Sequence, residues 1–508
     1  MPLFHFLLFT FYFLLVSMGL SGLDLAIIGV YLAGITLFGL CFRRRDRSLR
    51  AYFLADRNIP WWAISLSIVA AETSTLTIIS IPGLAYATNF TFLQLVFGYI
   101  VGRVIISVVL LPHYFRGELV TAYQLMQRRF GERLRSLTAG LFLITRAAAE
   151  GVRVFAVAIV VRIALGWLFA GMSPLARDIA AIGIVTALTL IYTFEGGLAA
   201  VIWTDVAQSV IYIGGTLIGF FILLRLVPGG WNSVAATAAA AQKFRVFDFT
   251  PDFFRTYTFW SGLVGGAFLT TASHGTDQLI VQRLLAARNQ RQATAALLAS
   301  GVIVLVQFAL FLTVGAALFV FYRGAQFPRT DEIFPTFIVT HLPRGIAGVM
   351  IAAILAAAMS NLSAALNSLS SSSVVDFYAR LRPQADERRR VLVSRTSTVI
   401  WALVLFALAI VSRRGGRVVE VGLSIASVAY GALLGVFLLG TLTRRANESG
   451  AMAGFACGFA FNMYLWLGTI HGRKVPFTWF VLLGSALTFV VGYCSSLIFA
   501  RNSAQSRE

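Results

Sequence analysis

The chain has 508 residues, with 41 Lys and Arg against 21 Asp and Glu for a formal net charge of +20, yet only 12% of residues are charged and 58% are hydrophobic. Its mean hydropathy is +0.82. Soluble domains carry roughly a quarter charged residues, so this is an integral membrane protein, and apolar runs of helical spanning length exclude a β-barrel. The basic excess lies in short loops between apolar runs, where Lys and Arg set topology, so no nucleic-acid partner is expected. Cys41, Cys457 and Cys494 lie within or at the ends of apolar runs and show no pairing or metal spacing, which makes them packing residues.

The expected fold is all-α, a polytopic membrane protein of about 13–14 transmembrane helices. Residues 3–20 form an apolar stretch with almost no positive residues before it, read as an extra spanning helix, with a signal peptide or an upstream start codon as alternatives. Spanning runs follow near 22–42, 60–82, 91–112, 136–166, 177–194, 203–226, 256–275, 293–322, 345–376, 390–411, 419–442, 449–469 and 476–499. Arg43 to Arg47, the loop with Arg128, Arg129, Arg133 and Arg135, the loop with Arg283, Arg288 and Arg291, Arg388 to Arg390, and Arg444-Arg445 all fall on one side. That side is expected to be cytoplasmic and takes the tail after Arg501 with it, in a cell membrane; Arg413, Arg414 and Arg417 weaken the contrast.

Polar residues interrupt three runs where a bilayer is driest. The run from Pro60 carries Ala70-Ala-Glu72-Thr73-Ser74-Thr75 at its centre, and the run near Trp260 carries Gly265-Gly266 and then Ser273-His274-Gly275. The second lies five spans after the first, so the two copies run in opposite directions through the membrane. Paired broken helices in inverted halves point to a secondary transporter with its site at the midplane. Carbonyls at such a break lack intrahelical partners, and a cation satisfies them. In the third run, Ala357, Ser360, Asn361 and Ser363 fall on or near one face and offer hard oxygens suited to a small cation, or else simply let helices approach and hydrogen-bond.

Several motifs together resemble the sodium:solute symporter family. They are Tyr52-Phe-Leu-Ala-Asp-Arg57 with Pro60-Trp61-Trp62, Tyr192-Thr-Phe-Glu-Gly-Gly through Trp203-Thr204-Asp205 to Gln208, Asp277-Gln278 through Gln282-Arg283 to Asn289, the stretch through Asp376-Phe-Tyr378, and Tyr430-Gly-Ala-Leu-Leu-Gly. The resemblance spans about residues 22–450 and implies two inverted five-helix repeats, at about 60–226 and 256–442. Around them stand an N-terminal segment 1–21, a first family helix and cytoplasmic loop at 22–59, and C-terminal helices and tail at 443–508. The implied activity is uptake of a small organic solute with sodium by alternating access, with proton coupling or uncoupled transport by the same fold as the alternative.

The resemblance also implies a sodium site made by Ala70 and Thr73 of the first broken helix with Ala357, Ser360 and Asn361; the family has Ser or Thr where this chain has Asn361. A second sodium site in some members maps to Asp205 and Ser363, but Ala364 replaces a hydroxyl there, so one sodium per cycle is expected. Asp205 is equally readable as the N-cap of a helix opening at Thr204. Positions that serve sugars in the family fall at Thr77, Val96, Thr270 and Ser273; Val96 replaces a carboxylate, which disfavours hexose transport.

Arg146, Glu150 and Arg153 lie at i, i+4 and i+7 inside one span, and Glu72 sits in the first break. Burying such charges unpaired costs several kcal/mol, which makes them functional candidates. Arg146 is expected to pair with Glu150, leaving Arg153 for Glu72 or for a solute carboxylate gripped by two hydrogen bonds. A closed Arg146–Glu150–Arg153–Glu72 network that only fixes packing is the alternative. Sialic-acid members of the family are similar in placing an arginine on this helix against the solute carboxylate, with Ser and Thr at positions matching Ser74 and Thr77. The substrate-binding set is then Glu72, Ser74, Thr77, Arg153 and Ser273, and the solute an acidic sugar, a monocarboxylate or, if Glu72 binds an ammonium, an amino acid. Arg103 and Arg162 stand nearer span ends and are expected to snorkel. His274 reads as a hydrogen-bonding residue rather than a proton relay. A membrane-embedded enzyme is disfavoured, since no His-Glu-x-x-His motif, Gly-x-Ser-x-Gly elbow or intramembrane aspartate pair occurs. No obligatory protein partner is evident beyond the solute and the lipid bilayer.

Overall fold

The computed structural model describes residues 20–41, 49–116, 119–164, 171–412 and 418–505, so the expected N-terminal span at 3–20 lies outside the described residues but for Leu20. Each of the thirteen runs from 22 onward is helical. Nine helices among the described residues are long and apolar enough to cross a membrane, and one bent pair makes a tenth. Helix α1, Gly22–Leu40, opens on Ser21, whose hydroxyl and Asp24 cap one another. Asp24 also accepts from the backbone N–H groups of Gly345 and Gly348, each at 2.7 Å, and so pins α1 to the start of a distant helix.

The first interrupted run is two helices, α2 (Trp61–Glu72) and α3 (Thr75–Ala87), bent by 64°. Thr73 and Ser74 leave the helical region, with ψ of 100° and 169°. Short hydroxyl side chains compete locally for backbone groups and so favour such a break: the Ser74 N–H donates to the Thr77 hydroxyl at 3.3 Å. The next span, α4 (Leu93–Ile105), passes through one wide turn at Ile106–Leu110 before ending at Tyr114. Then come α5 (Glu132–Ala164) and α6 (Pro174–Leu226). Two expected runs merge in α6 because its kink is a single residue, Gly197, at φ 52° and ψ −151°, where a Cβ would lie 2.6 Å from the Tyr52 carbonyl oxygen. Only glycine tolerates both demands. The break at Gly197 corrects the N-cap reading of Asp205, which lies well inside the second limb of α6.

The second interrupted run is a wide turn at Ser261–Gly265, α7 (Gly266–Gly275), and α8 (Gln278–Leu285) after a break at Thr276 and Asp277. Asp277 caps α8 by accepting from the Leu279 N–H at 2.9 Å. The remaining spans are α9 (Gln290–Phe321), α10 (Ile346–Ser372), α11 (Glu387–Val411), α12 (Val418–Leu442), α13 (Glu448–Leu467) and α14 (Phe477–Gln505). Helix α10 is the hub: its spanning window is 94% buried where that of α11 is 28%, and it packs on α1, α2, α3, α5, α6, α8 and α11. An all-round apolar helix rich in Ala and Ser belongs in such a place, because small side chains let its neighbours close in.

Candidate functional site

A cavity opens at the first break. Its volume is about 130 Å³. Helix α2 contributes only its last turn, Ala71 and Glu72, whereas α3 lines the cavity with Ser74, Leu76, Thr77 and Ile81. All five residues expected to bind solute, Glu72, Ser74, Thr77, Arg153 and Ser273, line this one cavity, with Thr270 beside them. Val96 does not; it is fully buried. Leu269, Phe92 and Phe308 form an apolar wall.

The charges at the cavity pair differently from expectation. Arg146 does meet Glu150, at 2.6 Å, but it also meets Asp277, at 3.3 Å, and Asp277 accepts from the Tyr430 hydroxyl at 2.7 Å. Arg153 donates to the same Glu150 at 3.1 Å and to the Asn361 amide oxygen at 3.1 Å. Glu72 is held instead by Arg103, with His274 at 3.3 Å. A closed Arg146–Glu150–Arg153–Glu72 network is therefore not formed. The snorkelling of Arg103 is corrected too: its side chain is fully buried, and it also donates to the Ser300 hydroxyl and the Tyr99 carbonyl, at 3.2 Å each. A guanidinium midway along a span has no reach to either surface, and Glu72 supplies the counter-charge its burial demands. His274 bonds Ser273, Arg103 and Glu72. Arg162 lies among residues whose side chains are not described.

The residues expected to hold sodium lie around the break and along α10. Ala70, Thr73, Ala357 and Ser360 are fully buried and Asn361 nearly so. Thr73 accepts from the Gln307 amide at 2.7 Å. Asn361 donates to the Ala71 carbonyl at 2.8 Å, which ties α10 to the last turn of α2. Ser360 faces elsewhere, to Asp205 at 2.7 Å. Asp205 also accepts from Ser67 at 2.5 Å and from Arg283 at 3.0 Å, while Ser363 turns onto its own helix, donating to the Ser360 carbonyl at 2.9 Å. The two expected sodium sets thus meet at Ser360. Hydroxyls, amide oxygens and freed carbonyls are the ligands sodium takes, and among the described residues no group of His, Cys, Asp and Glu could hold a metal ion.

Two basic residues assigned to topology are structural. Arg283 is fully buried and uses all three nitrogens, on Leu279, Ser67 and Asp205. Arg135 meets Asp376 at 3.0 Å, and Asp376 also accepts from Thr121 and Ser372. The signal was present in the motifs themselves, where Asp205, Arg283 and Asp376 stand near apolar runs. Gln307, by contrast, sits alone in an apolar helix with nothing in its spacing to point at Thr73.

A helix broken at a buried cavity, beside a small-residue hub helix that offers oxygen ligands, defines a secondary transporter. The chain matches the sodium:solute symporter family over residues 52–458. It belongs to that family, and it is a multi-pass, sodium-coupled symporter of a small solute, not an enzyme. It is 28% identical to the sodium/sialic acid symporter SiaT of Proteus mirabilis over 94% of this chain and 95% of that one. It is also 28% identical to the human sodium/iodide cotransporter over 86% and 68%, and 25% identical to the mouse sodium-coupled monocarboxylate transporter 2 over 86% and 70%. A substrate-bound outward-open structure of a Na+-coupled sialic acid symporter, described as revealing a novel Na+ site, superposes with a TM-score of 0.82 at 27% identity, covering 94% of this chain and 98% of that one.

Proposed function

We propose that the protein imports an anionic organic solute, an acidic sugar of the sialic acid kind, with one sodium ion per cycle. The observation that carries this is the state of Arg153. It is the cavity-lining arginine that is still 24% exposed, it shares Glu150 with Arg146, and its remaining partner is neutral. Among the described residues both its contacts are made through Nη1, so Nη2 and Nε can grip a carboxylate in two bonds. Glu72 is already neutralised by Arg103, which removes the anchor an amino-acid ammonium would need. Ser74, Thr77, Thr270 and Ser273 offer hydroxyls to a polyol. The apolar wall of Leu269, Phe92 and Phe308, with Leu76 and Ile81 of α3 also lining the cavity, favours a short monocarboxylate as the second reading.

Sodium is assigned to the break, with Ala70 and Thr73 from α2 and Ala357, Ser360 and Asn361 from α10, and Asp205 and Ser363 on the ion path below. Residues 60–226 and 256–442 are assigned as inverted repeats, the breaks at Thr73–Ser74 and Thr276–Asp277 supporting that reading. The protein is placed in the cell membrane with its C-terminus in the cytoplasm. Reconstitution into proteoliposomes with an inward sodium gradient tests the function. Labelled N-acetylneuraminate is expected to accumulate with sodium and not with potassium. Accumulation of a neutral sugar or an amino acid instead, with no uptake of acidic sugar or monocarboxylate, overturns the solute class.

A further inference from the structure

We propose that Asn361 couples sodium to solute by giving its one oxygen to two claimants in turn: to Arg153 while the solute site is empty, and to sodium once a solute anion holds the guanidinium. This rests on the sodium and solute sites assigned above.

The Asn361 carboxamide is clamped at both ends. Its nitrogen donates to the Ala71 carbonyl in the last turn of α2, where carbonyls have lost their intrahelical donors. Its oxygen accepts from Arg153 Nη1. The reverse orientation would set oxygen against oxygen at Ala71 and an N–H group against the guanidinium, so the neighbours dictate which end is which. Sodium takes only oxygen ligands, and Asn361 has one to offer. Holding sodium and a guanidinium on that oxygen together brings two positive charges into contact in a buried place, where their repulsion is poorly screened.

Arg153 is the mobile claimant. It is 24% exposed where Asn361 is 3% exposed, and its carboxylate partner Glu150 is held independently by Arg146. An anion in the cavity neutralises Arg153 and draws it off the amide, which frees the oxygen for the ion. Each ligand then favours the other by the same factor. The adjacent Ser360 does not play this part, because its hydroxyl donates to Asp205 and makes no bond to Arg153.

Sodium binding to the purified full chain without solute, read with radioactive sodium by scintillation proximity, tests the proposal in wild type, Arg153→Ala, Asn361→Ser and the double variant. Serine keeps an oxygen but is too short to span to Arg153. Removing Arg153 is expected to tighten sodium binding about tenfold where Asn361 is intact and no more than about twofold in the Asn361→Ser background, a coupling of ordinary allosteric size. Equal tightening in both backgrounds is plain charge repulsion and overturns the proposal, as does unchanged or weaker binding in Arg153→Ala. Sodium binding absent from all four proteins overturns the sodium site itself and the coupling with it. Asn361→Thr gives the same comparison if the serine variant does not fold. Since sodium alone is the probe, the result is independent of which anion is carried.

Discussion

The first break divides two charge clusters that differ in one respect. On the α2 side, Asp205, Arg283, Ser67 and Ser360 are all fully buried, each guanidinium nitrogen of Arg283 is used, and both Asp205 oxygens accept bonds. On the cavity side, Arg153 shares a carboxylate, keeps free donors among the described residues and remains partly exposed. Both clusters keep charge inside a membrane by pairing it. The first is complete and closes its helices on one another. The second is incomplete and can therefore take a ligand. Completeness of pairing, rather than presence of charge, separates a lock from a site.

Substitution should separate the two. The largest effect is expected from Asp205→Ala, which strands the fully buried Arg283 and should cost about 3–5 kcal/mol of stability, read by thermal unfolding. A shift in unfolding temperature no larger than that of an exposed-site control would show that the closure is not held by this pair. Arg153→Ala should leave stability nearly unchanged but abolish sodium-driven solute uptake in proteoliposomes; uptake persisting at unchanged solute affinity would remove the anchor. Ser360→Ala touches both regions, since it loses one bond to Asp205 and one proposed sodium ligand. Sodium affinity should fall about tenfold with a stability loss of about 1 kcal/mol, and unchanged sodium binding would assign Ser360 to the lock alone.

The smallest effect concerns the loop between α6 and α7. Burial pushes the Asp248 carboxyl up, but the Thr250 hydroxyl and amide and the guanidinium groups of Arg255 and Arg245 outweigh it and hold it below its ordinary value of 3.8. A carboxyl lowered by folding adds stability above its unfolded value and loses it as pH falls through the folded one. Since the Asp248 N–H also donates to Gln94 on α4, the anchor joins loop to span. Hydrogen exchange in residues 241–258, corrected for intrinsic rate, should rise severalfold as pH drops below about 4 and stay flat in Asp248→Asn.

Hydropathy was enough to place the spans, because twenty apolar residues in a row have little choice but to cross as helices. The break at Thr73–Ser74 was legible for a related reason: a carboxylate and three hydroxyls in succession have no other business in the middle of a span. Glu72 and Arg153 stood out as charges inside spans, whereas Ser74, Thr77 and Ser273 came from motif resemblance. Partner choice was not legible. Glu72 could have met Arg153 as readily as Arg103, and only the packing of α4 against the break decides it. Arg283 was misread because a basic residue near a span end looks the same whether it faces headgroups or a buried carboxylate. The kink of α6 was hidden in Gly196-Gly197, where pattern cannot tell which glycine turns.

One seam has a mechanical consequence. Gly98 and Gly102 of α4 face the Gly262–Thr271 stretch so closely that a Cβ on Gly98 would lie 2.5 Å from the Leu263 carbonyl oxygen, and one on Gly102 equally near that of Ala267. Sliding between helices needs a layer of side chains that can change rotamer, and this seam has backbone against backbone. The two helices therefore travel as one plate, with Arg103 mounted on one half and His274 on the other. Glu72, on the broken helix opposite, bonds both halves of that plate, so any motion that released one partner would release the other with it.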